Sequence, residues 1–208
     1  MVKRLPGLVN FKEWIAVSKL KTLLTEIRGC RVCEAHLEPN PVVQAGEHSR
    51  ILVVGQAPGR KVHESGLPWN DASGDLLREW LGVDDTVFYD PAWFAQMPMG
   101  LCYPGKGRSG DLPPRKECAS LWHEALKAQM PQIQLTLLIG QYAQKHYLGP
   151  AYKGSLTETV RAYREFWPDI IPLPHPSPLN RHWLKKNPWF EREVLPDLRR
   201  RVASVLAT

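Results

Sequence analysis

Cysteine is scarce in this chain of 208 residues, which holds only Cys30, Cys33, Cys102 and Cys118. Long hydrophobic runs are missing too: stretches such as 135–140 are far shorter than the ~20 residues of a membrane-spanning helix. The first ten residues hold no apolar core of a signal peptide, and no internal repeat or low-complexity tract occurs. We therefore expect a cytoplasmic globular protein with one domain over residues 1–208.

The four cysteines form one tight pair and one wide pair. Two residues separate Cys30 from Cys33, and fifteen separate Cys102 from Cys118. Because thiols stay reduced in the cytoplasm, two disulfide bridges are disfavoured. The set predicts a four-thiolate site for a cluster or a metal rather than scattered core thiols. A single zinc ion on all four cysteines is the alternative.

Positive charge is concentrated at the two ends of the chain. The net charge of +6 divides into +5 for residues 1–33, +4 for residues 181–208 and −3 for the segment between them. Basic ends around an acidic middle suggest a polyanion partner such as nucleic acid. The alternative is a solvated surface with an excess of Lys and Arg.

Short apolar runs predict the strands of a parallel sheet. They cover residues 50–55, 135–140 and 169–175, with a weaker fourth run at 86–89. Helices are predicted at residues 17–29, 73–82, 115–129, 141–148 and 155–166. This alternation indicates an α/β fold with three layers, α/β/α, around a mostly parallel four-stranded sheet. Function in such a sheet gathers at the carboxyl ends of the strands.

Candidate functional residues follow the first strand. The segment Gly55-Gln-Ala-Pro-Gly59 allows a tight turn and a close approach of a ligand to backbone N–H groups. It lacks the G-x-G-x-x-G and G-x-x-x-x-G-K-[ST] patterns, so a nucleotide-phosphate loop is disfavoured. Trp69 is a candidate stacking platform for a base, or else a core residue. Asp71 is a candidate general base that positions a water, or else a helix cap near Ser73.

A second group of candidates follows the third strand. His175 can donate a hydrogen bond to developing negative charge. Ser177 can bind a phosphate, and Leu179 can wedge into a base stack. The alternative is a proline-rigid loop with a structural histidine and solvated charges. Basic residues that would meet phosphates come next, namely Arg181, His182, Lys185 and Lys186.

Taken together, these segments resemble the uracil-DNA glycosylase superfamily, most closely its iron–sulfur branches, families 4 and 5. The segment 55–59 is similar to the first active-site motif, and Gly66-Leu-Pro-Trp69 to a Gly-x-Pro-Phe stretch. Leu138-Ile-Gly140 is similar to a middle strand–helix unit, and His175-Pro-Ser-Pro to the last motif. Both cysteine pairs are placed as in those families. The resemblance runs from about residue 20 to the C-terminal helix.

The resemblance implies a DNA glycosylase of base excision repair. Such an enzyme flips a deaminated, uracil-type base out of DNA and hydrolyses its N-glycosidic bond. Trp69 would stack on the base, Asp71 would be the acid/base, as in family 5, and His175 would stabilise the leaving anion. The base pocket would also contain Gln56, Ala57, Pro58 and Gly59.

The resemblance also implies a cofactor and a partner. Cys30, Cys33, Cys102 and Cys118 would ligate a [4Fe–4S] cluster. The partner would be DNA, bound by a monomer that has no membrane contact. We expect DNA contacts from Ser177, Leu179, Asn180, Arg181, Lys185 and Lys186.

The chain also departs from the family pattern. Gln56 stands where family 4 has Glu, and Ala57 where family 1 has a water-activating Asp. Residues 97–100 fill a stretch in which an Asn is expected, and Trp69 in place of Phe suggests a changed base pocket. A DNA- or lesion-binding protein of the same fold without catalysis is therefore the second hypothesis. If Asp71 is not the base, the water would be held by backbone carbonyls or by Gln56, His63 or Glu64.

Overall fold

A four-stranded parallel sheet is the centre of the fold, in a computed structural model that describes residues 18–108 and 110–208. The strands are β1 Ile51–Val54, β2 Phe94–Gln96, β3 Lys106–Gly107, β4 Gly110–Asp111, β5 Leu135–Ile139 and β6 Ile170–Leu173. The main sheet has the order β2-β1-β5-β6, with every neighbouring pair parallel. Strands β3 and β4 form a small antiparallel hairpin.

Helices cover both faces of this sheet. They are α1 Lys19–Arg28, α2 Arg60–Ser65, α3 Ala72–Leu81, α4 Asp85–Phe88, α5 Glu124–Ala128, α6 Gln141–Leu148, α7 Leu156–Arg161, α8 Arg181–Lys186 and α9 Leu195–Leu206. Two π-helical turns, Ala119–His123 and Phe190–Val194, lead into α5 and α9. Within the described residues, no helix is both long and apolar enough to span a membrane.

Alternate residues of β1 face two separate apolar cores, as the period of a strand requires. Ile51 and Val53 belong to a core that includes residues of α3, α4, α7 and α9. Leu52 and Val54 belong to a second core, with residues of α1, α5 and α6. The predicted three-layer α/β/α architecture is thereby confirmed.

The strand predicted at residues 86–89 is wrong. This segment forms most of α4, whose first turn is capped because Asp84 accepts a hydrogen bond from the Val87 N–H. Its apolar character serves the core: Phe88 is buried, with its ring centroid 5.3 Å from that of Phe94. The fourth strand is β2, which begins at Phe94.

The other predicted elements occur with shifted ends. The first helix begins at Lys19, and residue 17, its predicted start, lies outside the described residues. The helix predicted at 115–129 begins with a π-helical turn at Ala119, and the one at 155–166 is α7 followed by a 3-10 turn. A single domain over 1–208 stays a prediction, because residues 1–17 and 109 are not described.

Candidate active site and cysteine cavity

A cavity of about 480 Å³ lies at the carboxyl ends of β1 and β6. All seven residues predicted to be catalytic or base-binding line it: Gln56, Ala57, Pro58, Gly59, Trp69, Asp71 and His175. Ser177, Leu179 and Asn180 also line it. His63 and Glu64, the alternative water ligands, line a neighbouring cavity instead.

Trp69 is held against the cavity wall in an unusual backbone conformation. Its φ is 57°, which is costly for a residue with a side chain and occurs mostly at functional sites. Two glycines make room for it. A Cβ on Gly55 would lie 2.8 Å from the indole ring, and one on Gly74 would lie 1.7 Å from the Trp69 carbonyl oxygen. The ring is partly exposed, and its centroid is 5.8 Å from that of His175.

Arg78 supports Trp69 from behind. Its guanidinium donates to the Trp69 carbonyl oxygen at 3.4 Å, and the Tyr89 hydroxyl donates to the same oxygen at 3.3 Å. The buried Arg78 charge is compensated by Asp75 and Asp85, each 2.6 Å away. The backbone of Trp69 is therefore fixed by an ionic network beneath the cavity.

Asp71 uses its two carboxylate oxygens differently. Oδ1 caps α3 by accepting hydrogen bonds from the Ser73 N–H at 3.0 Å and the Gly74 N–H at 2.9 Å. Oδ2 takes no part in this cap and lies 3.7 Å from the place where a Cβ on Gly59 would stand. The helix-cap alternative is thus realised, and it leaves one oxygen at the cavity for other work.

His175 is held in place by the loop that follows it. The Asn180 side-chain amide donates to the His175 carbonyl oxygen at 2.9 Å, while the Ser177 hydroxyl accepts from the Leu179 N–H at 3.2 Å. Burial lowers the pKa of His175, and the negative charges of Asp71 and Asp111 oppose that shift only in part. The imidazole is therefore neutral near pH 7 and can act as a hydrogen-bond donor.

Leu179 projects from the rim of the cavity. It is 91% exposed, more than any other large hydrophobic residue that the structure describes. Burial of so large an apolar side chain in a partner is favourable. Such a side chain at the mouth of a base-sized cavity is suited to entering a base stack.

The basic C-terminal segment divides into two groups. Arg181, Lys185 and Lys186 are exposed on α8 and have no carboxylate partner among the described residues. The three arginines of α9 instead serve the fold. Arg199 and Arg201 donate to backbone carbonyl oxygens, and Arg200 pairs with Asp197. Of the N-terminal charges, those at Lys3, Arg4, Lys12 and Glu13 lie outside the described residues.

The sequence analysis missed Asp111, which also lines the cavity. It ends β4, and the Tyr103 hydroxyl donates to its Oδ1 at 3.3 Å. Gly107 and Gly110, separated by two residues, were an available hairpin signal. The hairpin adds a second carboxylate whose charge acts on His175.

Residues 97–100, where the family has an Asn, contribute backbone and Pro98 to the site. The Met99 N–H donates to the Gly55 carbonyl oxygen at 2.9 Å, and Pro98 lines the cavity. Buried His123 supports this loop. Its Nε2 lies 3.1 Å from the Pro98 carbonyl oxygen, and its Nδ1 lies 2.8 Å from the Tyr147 hydroxyl. A carbonyl oxygen can only accept, so Nε2 carries the proton and Nδ1 accepts from the hydroxyl.

The four cysteines meet at a second cavity, of about 20 Å³. All four are free thiols. Burial raises the pKa of Cys102 to about 11 and also raises the pKa of Cys118, because both thiolates would lack solvation. A positively charged metal would supply what burial removes. The remaining wall is largely apolar and consists of Leu37, Pro39, Pro41, Leu101, Arg115 and Trp122.

The donor set fits a cluster better than a single ion. Within the described residues, no three or more His, Cys, Asp or Glu side chains are arranged to hold one metal ion. All four thiols nonetheless surround one enclosed space. Two buried N–H groups on its wall, Arg115 Nε and Trp122 Nε1, have no hydrogen-bond partner. An iron–sulfur cluster is larger than one ion and presents sulfur acceptors to such donors.

The chain belongs to the Uracil DNA glycosylase superfamily, because the sequence model of that family matches residues 43–199. This span contains the main sheet, His175 and Cys102 with Cys118. The fold and the family thus agree with the resemblance seen in the motifs.

Two relatives illustrate the range of similarity. The chain is 39% identical over 67 residues to Type-4 uracil-DNA glycosylase from Archaeoglobus fulgidus, a match that covers 31% of this chain and 34% of the relative. It thus spans about a third of that protein's length. The solution NMR structure of a protein from Methanosarcina acetivorans, provisionally assigned as a uracil DNA glycosylase, is 18% identical, with a TM-score of 0.45. It covers 76% of this chain and 93% of its own.

Proposed function

We propose that this protein is a DNA glycosylase that excises a deaminated, uracil-type base. One observation carries the proposal: the seven candidate residues line a single cavity in a member of this superfamily. Chemistry at the glycosidic bond is blocked within a duplex, so the base must enter the cavity extrahelically. Leu179 fills the space that the base leaves.

The reaction uses three side chains of the cavity. Trp69 stacks on the flipped base, while backbone groups of residues 56–59 bind its edge. The bond between the base and the sugar C1′ breaks, and its electron pair leaves with the base as an anion. Neutral His175 donates a hydrogen bond to that anion. Asp71 Oδ2 orients a water that adds to C1′ and accepts the proton that the water loses.

A [4Fe–4S] cluster is proposed on Cys30, Cys33, Cys102 and Cys118. When bound, it supplies a covalent tie between the turn after α1 and the segment between Cys102 and Cys118. That segment carries Asp111 to the cavity. We assign the cysteines a structural role for this reason.

DNA is the proposed partner, and α8 is its proposed contact surface. Arg181, Lys185 and Lys186 are exposed and free of intramolecular ion pairs in the part of the chain that the structure describes. They follow Leu179 directly, so phosphates beside a flipped nucleotide are within their reach. A monomeric state and a cytoplasmic location stay predictions.

The second candidate function is binding of a lesion without cleavage. Gln56 and Ala57 favour it, because both line the cavity where relatives carry acidic residues. A panel of single- and double-stranded oligonucleotides, each with one deaminated base, separates the two functions. We expect base release from at least one of them, seen as alkali-sensitive strand breaks. Tight binding with no release from any substrate would favour the binding protein.

A further inference from the structure

Two N–H groups at the cysteine cavity lack an acceptor. The part of the chain that the structure describes holds five buried side-chain polar atoms without a hydrogen-bond partner. Arg115 Nε and Trp122 Nε1 are two of these five, and both residues line the cavity of the four thiols. A buried donor normally has a partner, so an unpaired one needs an explanation such as an unmodelled group.

Both donors are held firmly. Arg115 forms an ion pair through Nη2 with Glu117, which leaves Nε free. Trp122 belongs to the π-helical turn Ala119–His123, which begins directly after Cys118. Each donor is therefore anchored within a few residues of a thiol ligand.

Sulfur is the acceptor that this cavity can offer. Four thiols converge on it, and the other side chains on its wall are apolar. A neutral thiol is a weak acceptor, whereas thiolate and sulfide carry negative charge and accept strongly. Hydrogen bonds to sulfur are one of the means by which a protein sets the reduction potential of a cluster.

We propose that Arg115 Nε and Trp122 Nε1 donate hydrogen bonds to the sulfur atoms of the cluster. The inference rests on the proposed [4Fe–4S] site and adds its outer layer of ligands. The reduced cluster carries one more negative charge, so the two donors stabilise it more than the oxidised cluster. They raise its midpoint potential and slow its loss to chelators.

Two conservative variants test this inference. Trp122→Phe keeps the aromatic ring and removes the N–H, while Arg115→Lys keeps the positive charge beside Glu117 and removes Nε. Trp167→Phe, at an indole that is 38% exposed and absent from the cavity wall, is the control. Midpoint potentials come from dithionite titrations followed by electron paramagnetic resonance.

We expect each variant to lower the midpoint potential and the double variant to lower it further. Cluster loss to a chelator should be faster by roughly 10- to 100-fold, the usual cost of removing an outer-layer partner. Trp167→Phe should match the wild type in both measurements. Unchanged potentials and loss rates in both test variants would overturn the inference.

A measurement on the wild type covers the case in which the variants do not fold. With ¹⁵N-labelled tryptophan, the reduced cluster should show a hyperfine coupling to one indole nitrogen. Absence of that coupling would exclude the Trp122 contact. Iron and sulfide analysis comes first: a colourless zinc protein would end the cluster proposal itself, whereas a brown iron protein with unaltered variants would end only this inference.

Discussion

Asp71 shows how one residue can serve both folding and chemistry. Its Oδ1 satisfies two N–H groups at the start of α3, which fixes the χ angles of the side chain. The second oxygen is then held at the cavity without any further support. A base that is preorganised in this way pays no cost of reorientation when substrate arrives.

Asp71→Asn tests the chemical half of this arrangement. Asn caps helices about as well as Asp, so the free energy of unfolding should change by less than about 1 kcal/mol. Excision should be abolished, because an amide cannot accept the proton of water. Asp84→Asn is the matched control, since Asp84 caps α4 in the same manner away from the cavity. Single-turnover excision rates and thermal unfolding measure both effects, and a fully active Asp71→Asn protein would refute the role of Asp71.

At the scale of elements, the start of α3 determines how Trp69 is presented. The helix passes so close to the Trp69 carbonyl that only glycine fits at position 74. Arg78, one helical turn further along, donates to the same carbonyl. The position of the indole at the cavity is therefore a property of the helix and not of the loop alone.

Gly74→Ala should displace this helix from Trp69. The added Cβ would stand 1.7 Å from backbone oxygen, so we expect a loss of ~1–3 kcal/mol in stability, as for overpacked cores, and weaker base capture. Gly29→Ala is the control, because its nearest neighbours would lie at 3.5 Å and 3.6 Å, in ordinary contact. Denaturation curves and excision rates report the two effects. A Gly74→Ala protein with wild-type values of both would show that Trp69 does not depend on α3.

The charges of α8 should determine the salt dependence of DNA binding. Each phosphate contact contributes ~0.9 to the slope of log affinity against log salt on duplex DNA. Replacing Lys185 and Lys186 by Ala should flatten that slope by up to ~2. Lys127→Ala, at a lysine paired with Glu124, is the control and should leave the slope unchanged. Equal slopes for the double variant and the wild type would mean that these lysines are only solvated.

At the scale of the whole molecule, buried His123 makes stability depend on pH. Burial, with help from His146 and Lys127, lowers its pKa from 6.5 to about 4. Between these values the unfolded chain binds a proton that the folded protein does not, so stability decreases as pH falls. The full effect is ~3 kcal/mol, complete below pH 4.

Denaturant unfolding of the wild type and of His123→Gln between pH 7 and pH 5, with iron content checked at each pH, isolates this contribution. Burial also lowers the pKa of His175, but its effect is common to both proteins and cancels in the comparison. The difference in unfolding free energy between them should shrink as pH falls. A constant difference would exclude His123 as the source.

Much of the fold could be predicted because buried parallel strands consist of continuous apolar runs, as in β1 and β5. Residues 86–89 were misassigned since a four-residue helix that buries Phe88 has too few turns to show helical periodicity. Asp111 was missed for another reason: its place at the cavity depends on a hairpin far along the chain from Asp71. The cavity residues 56–59 and 175–180 were accessible because strand ends meet at one edge of the sheet.

The π-helical turn Ala119–His123 sends Trp122 to the cysteines and His123 to the carbonyl of Pro98. Such a turn contains one residue more than an α-helical turn. Deleting a single exposed residue there, such as Ser120, would rotate everything beyond it by about 100°. The spacing between Cys118 and His123 is thus a ruler: many substitutions within it are tolerable, but insertions and deletions are not.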